Sequence, residues 1–159
     1  MNFALVSWNI RGLGKREKVR AICRCSLKNK AQVLLIQETK LEVIKPWVKA
    51  RLGKANLGEV VEVPSEGVIR WSNLRMESEF FQSGKKNYRK RWIGLIGTLT
   101  EGNLKIVLIN INAPNAATER KRVFDQLSLH IESWSIPVIV AGDFNCSKPG
   151  EERIGSGGT

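Results

Sequence analysis

Val138-Ile139-Val140-Ala141 has the composition of a strand covered on both faces, and it runs straight into Gly142-Asp143-Phe144-Asn145. Glycine there allows a sharp turn before Asp143, so the apolar run delivers a carboxylate and an amide to one place. The same arrangement occurs three more times upstream. Phe3 to Trp8 ends in Asn9, Val33 to Gln37 ends in Glu38, and Ile106 to Ile109 ends in Asn110, with Asn112 and Asn115 close behind. Turn chemistry explains one such ending, because Asn and Asp favour strand ends and helix caps. Four of them predict a shared ligand, since a buried carboxylate or amide without a partner costs on the order of kcal/mol.

The 159 residues suit one domain, and 42% hydrophobic residues supply a core and exclude a disordered tail. No signal peptide opens the chain, and no apolar run approaches the ~20 residues of a spanning helix, so a soluble, intracellular protein is expected. Cys23, Cys25 and Cys146 are odd in number and lack metal-site spacing; they read as reduced thiols, the first two facing different ways on a helix. Twenty-six Lys and Arg against 15 Asp and Glu give a formal charge of +11, which points to a polyanionic partner.

Helical spacing of Val19, Ile22, Cys23 and Leu27 predicts an amphipathic helix over Lys15 to Asn29 with a basic outer face, suited equally to solvent or to phosphate. A second helix is expected from about Ile44 to Leu52, with Pro46 in its first turn, Gly53 as its stop, and Trp47 and Leu52 on its apolar side. Short runs at Val60 to Val63, Val68 to Trp71, Met76 to Phe81 and Trp92 to Leu99 predict antiparallel sheet. Between the last two, the loop Lys85 to Trp92 carries Lys85, Lys86, Arg89, Lys90 and Arg91 around Tyr88 and Trp92, a composition for phosphate contact with rings for stacking. A third helix is expected from Ala117 to Trp134, striped by Val123, Leu127, Ile131 and Trp134 beside Phe124 and capped by Asn115 or Thr118; His130 reads as its surface residue.

Ser7-Trp8-Asn9-Ile10-Arg11-Gly12-Leu13, Gln37-Glu38-Thr39-Lys40, Asn110-Ile111-Asn112-Ala113-Pro114-Asn115 and Gly142-Asp143-Phe144-Asn145, in that order, resemble the endonuclease/exonuclease/phosphatase superfamily. Within it the chain looks most like the endonuclease domain of plant LINE-type (non-LTR) retrotransposons, where a segment similar to Glu151-Glu152-Arg153-Ile154-Gly155-Ser156 also follows the aspartate. The resemblance implies a DNase I-like four-layer α/β/β/α sandwich over residues 1–159, with its second sheet incomplete because it covers only the front part of the family domain. It implies magnesium, with manganese as a substitute, held by Glu38 and Asn9. Asp143 would orient or deprotonate the attacking water, and Asn145 and Asn9 would hold the phosphate and the metal's waters.

Asn112 stands where the family commonly has Tyr or His, so a shorter amide faces the phosphate. Arg11, Asn115 and the cations of Lys85 to Arg91 are expected to contact nucleic acid. The family's general base follows a later strand, so His130 is not assigned that role. The resemblance further implies DNA as partner, a monomer without membrane contact, a reverse transcriptase in a longer parent chain, and nuclear location. Lacking the later catalytic residues, the chain is expected to hydrolyse phosphodiesters weakly or not at all. The alternatives are a non-catalytic nucleic-acid-binding remnant and a phosphatase for phosphoinositides or other small phosphate esters.

Overall fold

The computed structural model describes residues 4–41, 44–53, 59–61, 73–76 and 81–146, without the side chains of 53, 59–61, 73–76, 81–83, 86 and 88. The expected strand at Val68 to Trp71, the inner residues of the one at Met76 to Phe81, the last two of the one at Val60 to Val63, and the segment Glu151 to Ser156 lie outside the described residues. The chain runs through β1 (Leu5–Asn9), α1 (Arg16–Lys28), β2 (Val33–Gln37), α2 (Pro46–Gly53), β3 (Glu59–Val61), β4 (Asn73–Met76), β5 (Phe81–Tyr88), β6 (Trp92–Leu99), β7 (Leu104–Asn112), α3 (Ala117–Glu132) and β8 (Val138–Asp143).

Two four-stranded sheets form, in the orders β1-β2-β4-β3 and β5-β6-β7-β8. β1 pairs parallel with β2 and β7 parallel with β8, while the other neighbours are antiparallel. Alternation along the strands explains the layering. In β2, Leu34 and Ile36 join Val19, Ile22, Ile44, Val48 and Leu52 in a core beneath α1 and α2. Val33 and Leu35 point the other way, into an inter-sheet core with Leu95, Leu99, Ile106 and Leu108. In β7, Val107, Ile109 and Ile111 face Leu127 and the stripe of α3. The result is the α/β/β/α sandwich, with β2 and most of β7 buried on two faces.

α1 buries Val19, Ile22, Cys23 and Ser26, one stripe at helical spacing. Leu27 falls off that stripe and is 55% exposed, a correction to its expected place. In α2, Leu52 is buried and Trp47 is partly buried, with the Arg16 guanidinium 5.9 Å from its ring centroid. α3 starts after Ala116, and no side chain caps it, in place of the expected Asn115 or Thr118.

Two strands run further than their composition suggests. β7 continues through Asn110 to Asn112, so Asn110 is not at a strand end but fully buried within one. β8 continues through Gly142 to Asp143 with Asn112 opposite Asp143, so the chain does not turn at the glycine. Gly142 instead has φ 140°, and a Cβ there would stand 2.0 Å from the Ile111 carbonyl oxygen, so close approach of two backbones requires it. The basic segment is likewise not one loop, since Lys85 to Tyr88 lie in β5 and Trp92 opens β6.

A candidate phosphodiester site where the two sheets meet

Parity along the parallel strands builds this site. The residues of β1, β2, β7 and β8 that point between the sheets begin apolar: Leu5, Val33, Leu35, Ile106, Leu108, Ile139 and Ala141. Towards the C-terminal ends the same positions become Asn9, Gln37, Asn110, Asn112 and Asp143. The inter-sheet core therefore ends in a polar layer, and β1 and β8, edge strands of their sheets among the described residues, face one another there.

Gln37 and Asn110 close the floor of that layer. The Gln37 amide donates to Asn110 Oδ1 at 2.6 Å and to Ser7 Oγ at 3.1 Å, and Asn110 Nδ2 donates to the Ile36 carbonyl at 3.4 Å. Both amides are essentially inaccessible to solvent. Satisfied polar groups at that depth tie β2 of one sheet to β7 of the other.

Above the floor, one amide bridges two carboxylates. Asn9 Nδ2 donates to Glu38 Oε1 at 3.2 Å and to Asp143 Oδ2. The other Asp143 oxygen accepts the Asn145 backbone N–H at 3.0 Å, while Asn145 Nδ2 donates to the Ala113 carbonyl at 2.6 Å. Three residues from three strand ends, separated by up to 134 positions in sequence, are thus in direct contact. Asn145 braces Asp143 and keeps one amide hydrogen and its Oδ1 for a ligand.

The backbone around the site is held in unusual conformations. Arg11, Glu38, Lys40 and Asn145 have φ of 50°, 55°, 54° and 49°, a left-handed region that costs a non-glycine residue of order 1–3 kcal/mol. Ladder-like bonds hold it: Ile10, Gly12 and Leu13 N–H groups donate to the carbonyls of Gln37, Glu38 and Thr39 at 3.1, 2.6 and 2.7 Å. Lys18 Nζ donates to the Ile10 and Arg11 carbonyls and closes the turn from the α1 side.

Asn9 Oδ1 and Asn112 Oδ1 are buried and have no hydrogen-bond partner among the described residues. Two orphaned amide oxygens beside two carboxylates make a donor set of oxygens alone, which fits a hard divalent cation that keeps several waters. Among the described residues no three His, Cys, Asp or Glu gather to cage a metal unaided. Such a cation would therefore lean on amides, water and substrate oxygens.

The expected nucleic-acid contacts are distributed differently. Arg11 is exposed beside Glu38, and Asn115 is exposed at the turn into α3, where its carbonyl accepts Arg120 Nη1 at 2.8 Å. Lys85 is exposed on β5, Arg89 and Lys90 are exposed at the hairpin, and Arg91 pairs with Glu119 at 3.7 Å; the Lys86 and Tyr88 side chains lie outside the description. Trp92 cannot offer a stacking face, because it is 3% exposed and meets His130 and Trp134 edge-on, with centroids 5.3 and 6.4 Å away. His130 is correspondingly not a free surface residue but half-buried and stacked on Trp134. Arg120, Arg122 and Glu119 of α3 were not singled out by sequence; the only signal is the run Glu119-Arg120-Lys121-Arg122.

No protein-family model matches the sequence, and no curated protein matches it by sequence. Solved structures do match by fold. The chain is similar to a Danio rerio TDP2 complexed with single-strand DNA product (20% identity, TM-score 0.66, covering 92% of this chain and 62% of that one). It is similar to the human Nocturnin catalytic domain with bound sulfate (17%, 0.63, 92% and 64%) and to a Bacteroides thetaiotaomicron mannosyl-6-phosphatase (13%, 0.70, 94% and 68%). Another Bacteroides thetaiotaomicron match is described as an endonuclease/exonuclease/phosphatase family protein, with TM-score 0.70. The fold is that of the DNase I-like proteins, and the chain spans about half to two thirds of the length of several of these structures.

Proposed function

We propose that the chain hydrolyses phosphodiester bonds in DNA with the help of a divalent cation, magnesium or in its place manganese. The observation that carries this reading is the Asn9 bridge, which joins Glu38 of one sheet to Asp143 of the other beside two orphaned amide oxygens. Glu38 and Asn9 would hold the cation. When bound, it would neutralise charge on the phosphate and on the leaving oxygen.

The chain's own groups supply the rest. Asp143 accepts hydrogen bonds at both oxygens, from Asn9 and from the Asn145 N–H, and so is fixed in orientation to align a water and take its proton. Asn112 and Asn145 offer neutral hydrogen bonds to phosphate oxygens. Amides suit that position because further carboxylates would repel the substrate. DNA is supported by the charge of +11 and by the neighbour with bound DNA product. A LINE-type retrotransposon endonuclease, acting in the nucleus as a monomer beside a reverse transcriptase of a longer parent chain, is supported by the quoted motifs alone.

A second reading has one observation in its favour. Only two carboxylates meet at the site among the described residues, which suits a nucleic-acid-binding protein without catalysis. Nicking of supercoiled plasmid by the purified chain with magnesium, with and without EDTA, separates the two. Metal-dependent nicking that Asp143→Asn reduces by at least ~10²-fold is the expected result, the size of a lost general base. A folded chain that retards DNA but never nicks it would leave the binding reading standing instead.

A further inference from the structure

A cationic cleft lies next to the Asn9 site. The β5–β6 hairpin and one flank of α3 form an open cleft of about 410 Å³ whose lining includes Arg89, Lys90, Arg91, Arg122, Glu119 and Pro114. That volume is ligand-sized. Its lining carries four cationic side chains and one carboxylate, and guanidinium forks match phosphate oxygens better than ammonium groups do. Arg122 is exposed and makes no ion pair or hydrogen bond among the described residues.

The cleft and the Asn9 site share a wall. The Arg91 carbonyl accepts the Asn112 N–H at 2.8 Å, the Ala113 N–H donates to the Asp143 carbonyl at 2.7 Å, and Pro114 lines the cleft. From Asn112 to Pro114 is two residues, at most about 7 Å of extended chain. A polynucleotide with one phosphate at Asp143 would bring a neighbouring phosphate to this cleft, whereas a small monoester has none to bring.

We infer that this cleft is a phosphate subsite for a neighbouring nucleotide of a nucleic-acid strand. The inference rests on the hydrolytic reading above and deepens it by giving a second phosphate of the same strand a place beside the Asn9 site. Recognition there would run through phosphate oxygens and not through base stacking, because Trp92, the one aromatic ring in the wall, is buried against α3.

The test is the salt dependence of binding of a single-stranded DNA decanucleotide to the full chain, followed by fluorescence anisotropy. Arg122→Ala is compared with Lys105→Ala, an exposed cation at the opposite end of β7. Arg122→Ala should weaken binding about three- to tenfold at low salt and flatten the log–log slope by about 0.7, the signature of one lost phosphate contact on a single strand. Glu119→Gln should tighten binding, since it removes the carboxylate that occupies Arg91.

If Arg122→Ala behaves like Lys105→Ala, the subsite is overturned while the hydrolytic reading stands. Loss of slope without metal-dependent cleavage in the same samples overturns hydrolysis alone. If the unaltered chain fails to bind the strand at low salt, or if Arg122 binds inorganic phosphate without competition from the strand, the polynucleotide subsite is wrong.

Discussion

Asn9 holds the candidate site together with a single nitrogen. Its Nδ2 lies between Glu38 and Asp143, and its oxygen is left without a partner among the described residues. An aspartate there would face two carboxylates with a third, so a neutral donor is the residue type this position can use. Gly142 is constrained as tightly, by space rather than charge. Its φ of 140° and the Ile111 carbonyl 2.0 Å from any Cβ leave no room for alanine. Gly142→Ala should therefore lower stability by about 2 kcal/mol or more in urea denaturation, because the parallel β7–β8 ladder must open to admit it. It should also displace Asp143, which follows directly.

At the scale of the element, β2 and β7 are the strands that decide the architecture. β2 throughout and β7 from Ile106 onward are buried on both faces, and each carries a buried amide, Gln37 or Asn110, where its inner face stops being apolar. Gln37→Leu alone leaves Asn110 Oδ1 without its 2.6 Å donor in a dry layer, at a cost of about 1–3 kcal/mol. The double variant Gln37→Leu/Asn110→Leu should recover part of that loss in denaturant titrations, since an apolar pair of similar volume fits the layer. Simple additivity of the two single variants would mean the amide clasp is not the coupling between the sheets. α3 works differently, holding Trp92 with Leu127 and His130 while Trp134, just beyond its end, packs on the same ring, so that the start of β6 stays fixed.

At the scale of the molecule, two features govern behaviour: a charge of +11 and a site that depends on both sheets being docked. A cation held, as proposed, by Glu38 of one sheet beside Asp143 of the other would bind the folded chain and not the unfolded one. Magnesium should accordingly raise the unfolding free energy with concentration, by about 2.7 kcal/mol at a hundredfold excess over its Kd. Chemical denaturation with and without the metal measures this, and Glu38→Gln should remove the increment. No change in the unaltered chain up to tens of millimolar would argue that the oxygens of this site do not hold the metal.

Much of this was legible along the chain. Val33 to Gln37 reads as a strand buried on both faces and is one, because an unbroken apolar run has no solvent face to offer. The stripe of α3 follows from spacing alone. Asn9, Glu38 and Asp143 could be nominated because polar groups at the ends of such strands need partners. Which polar groups meet was not legible, since that depends on the register between strands 134 residues apart. Asn110 looks like a strand end and is a buried clasp, Trp92 looks like a stacking platform and is core, and Arg122 looks like any helix-surface cation and lines a cleft. Local pattern determined the elements and the side each would bury, because propensity and periodicity act over a few residues. Only the docking of the two sheets decided the site, because hydrogen bonds across that seam exist only once distant strands share one layer.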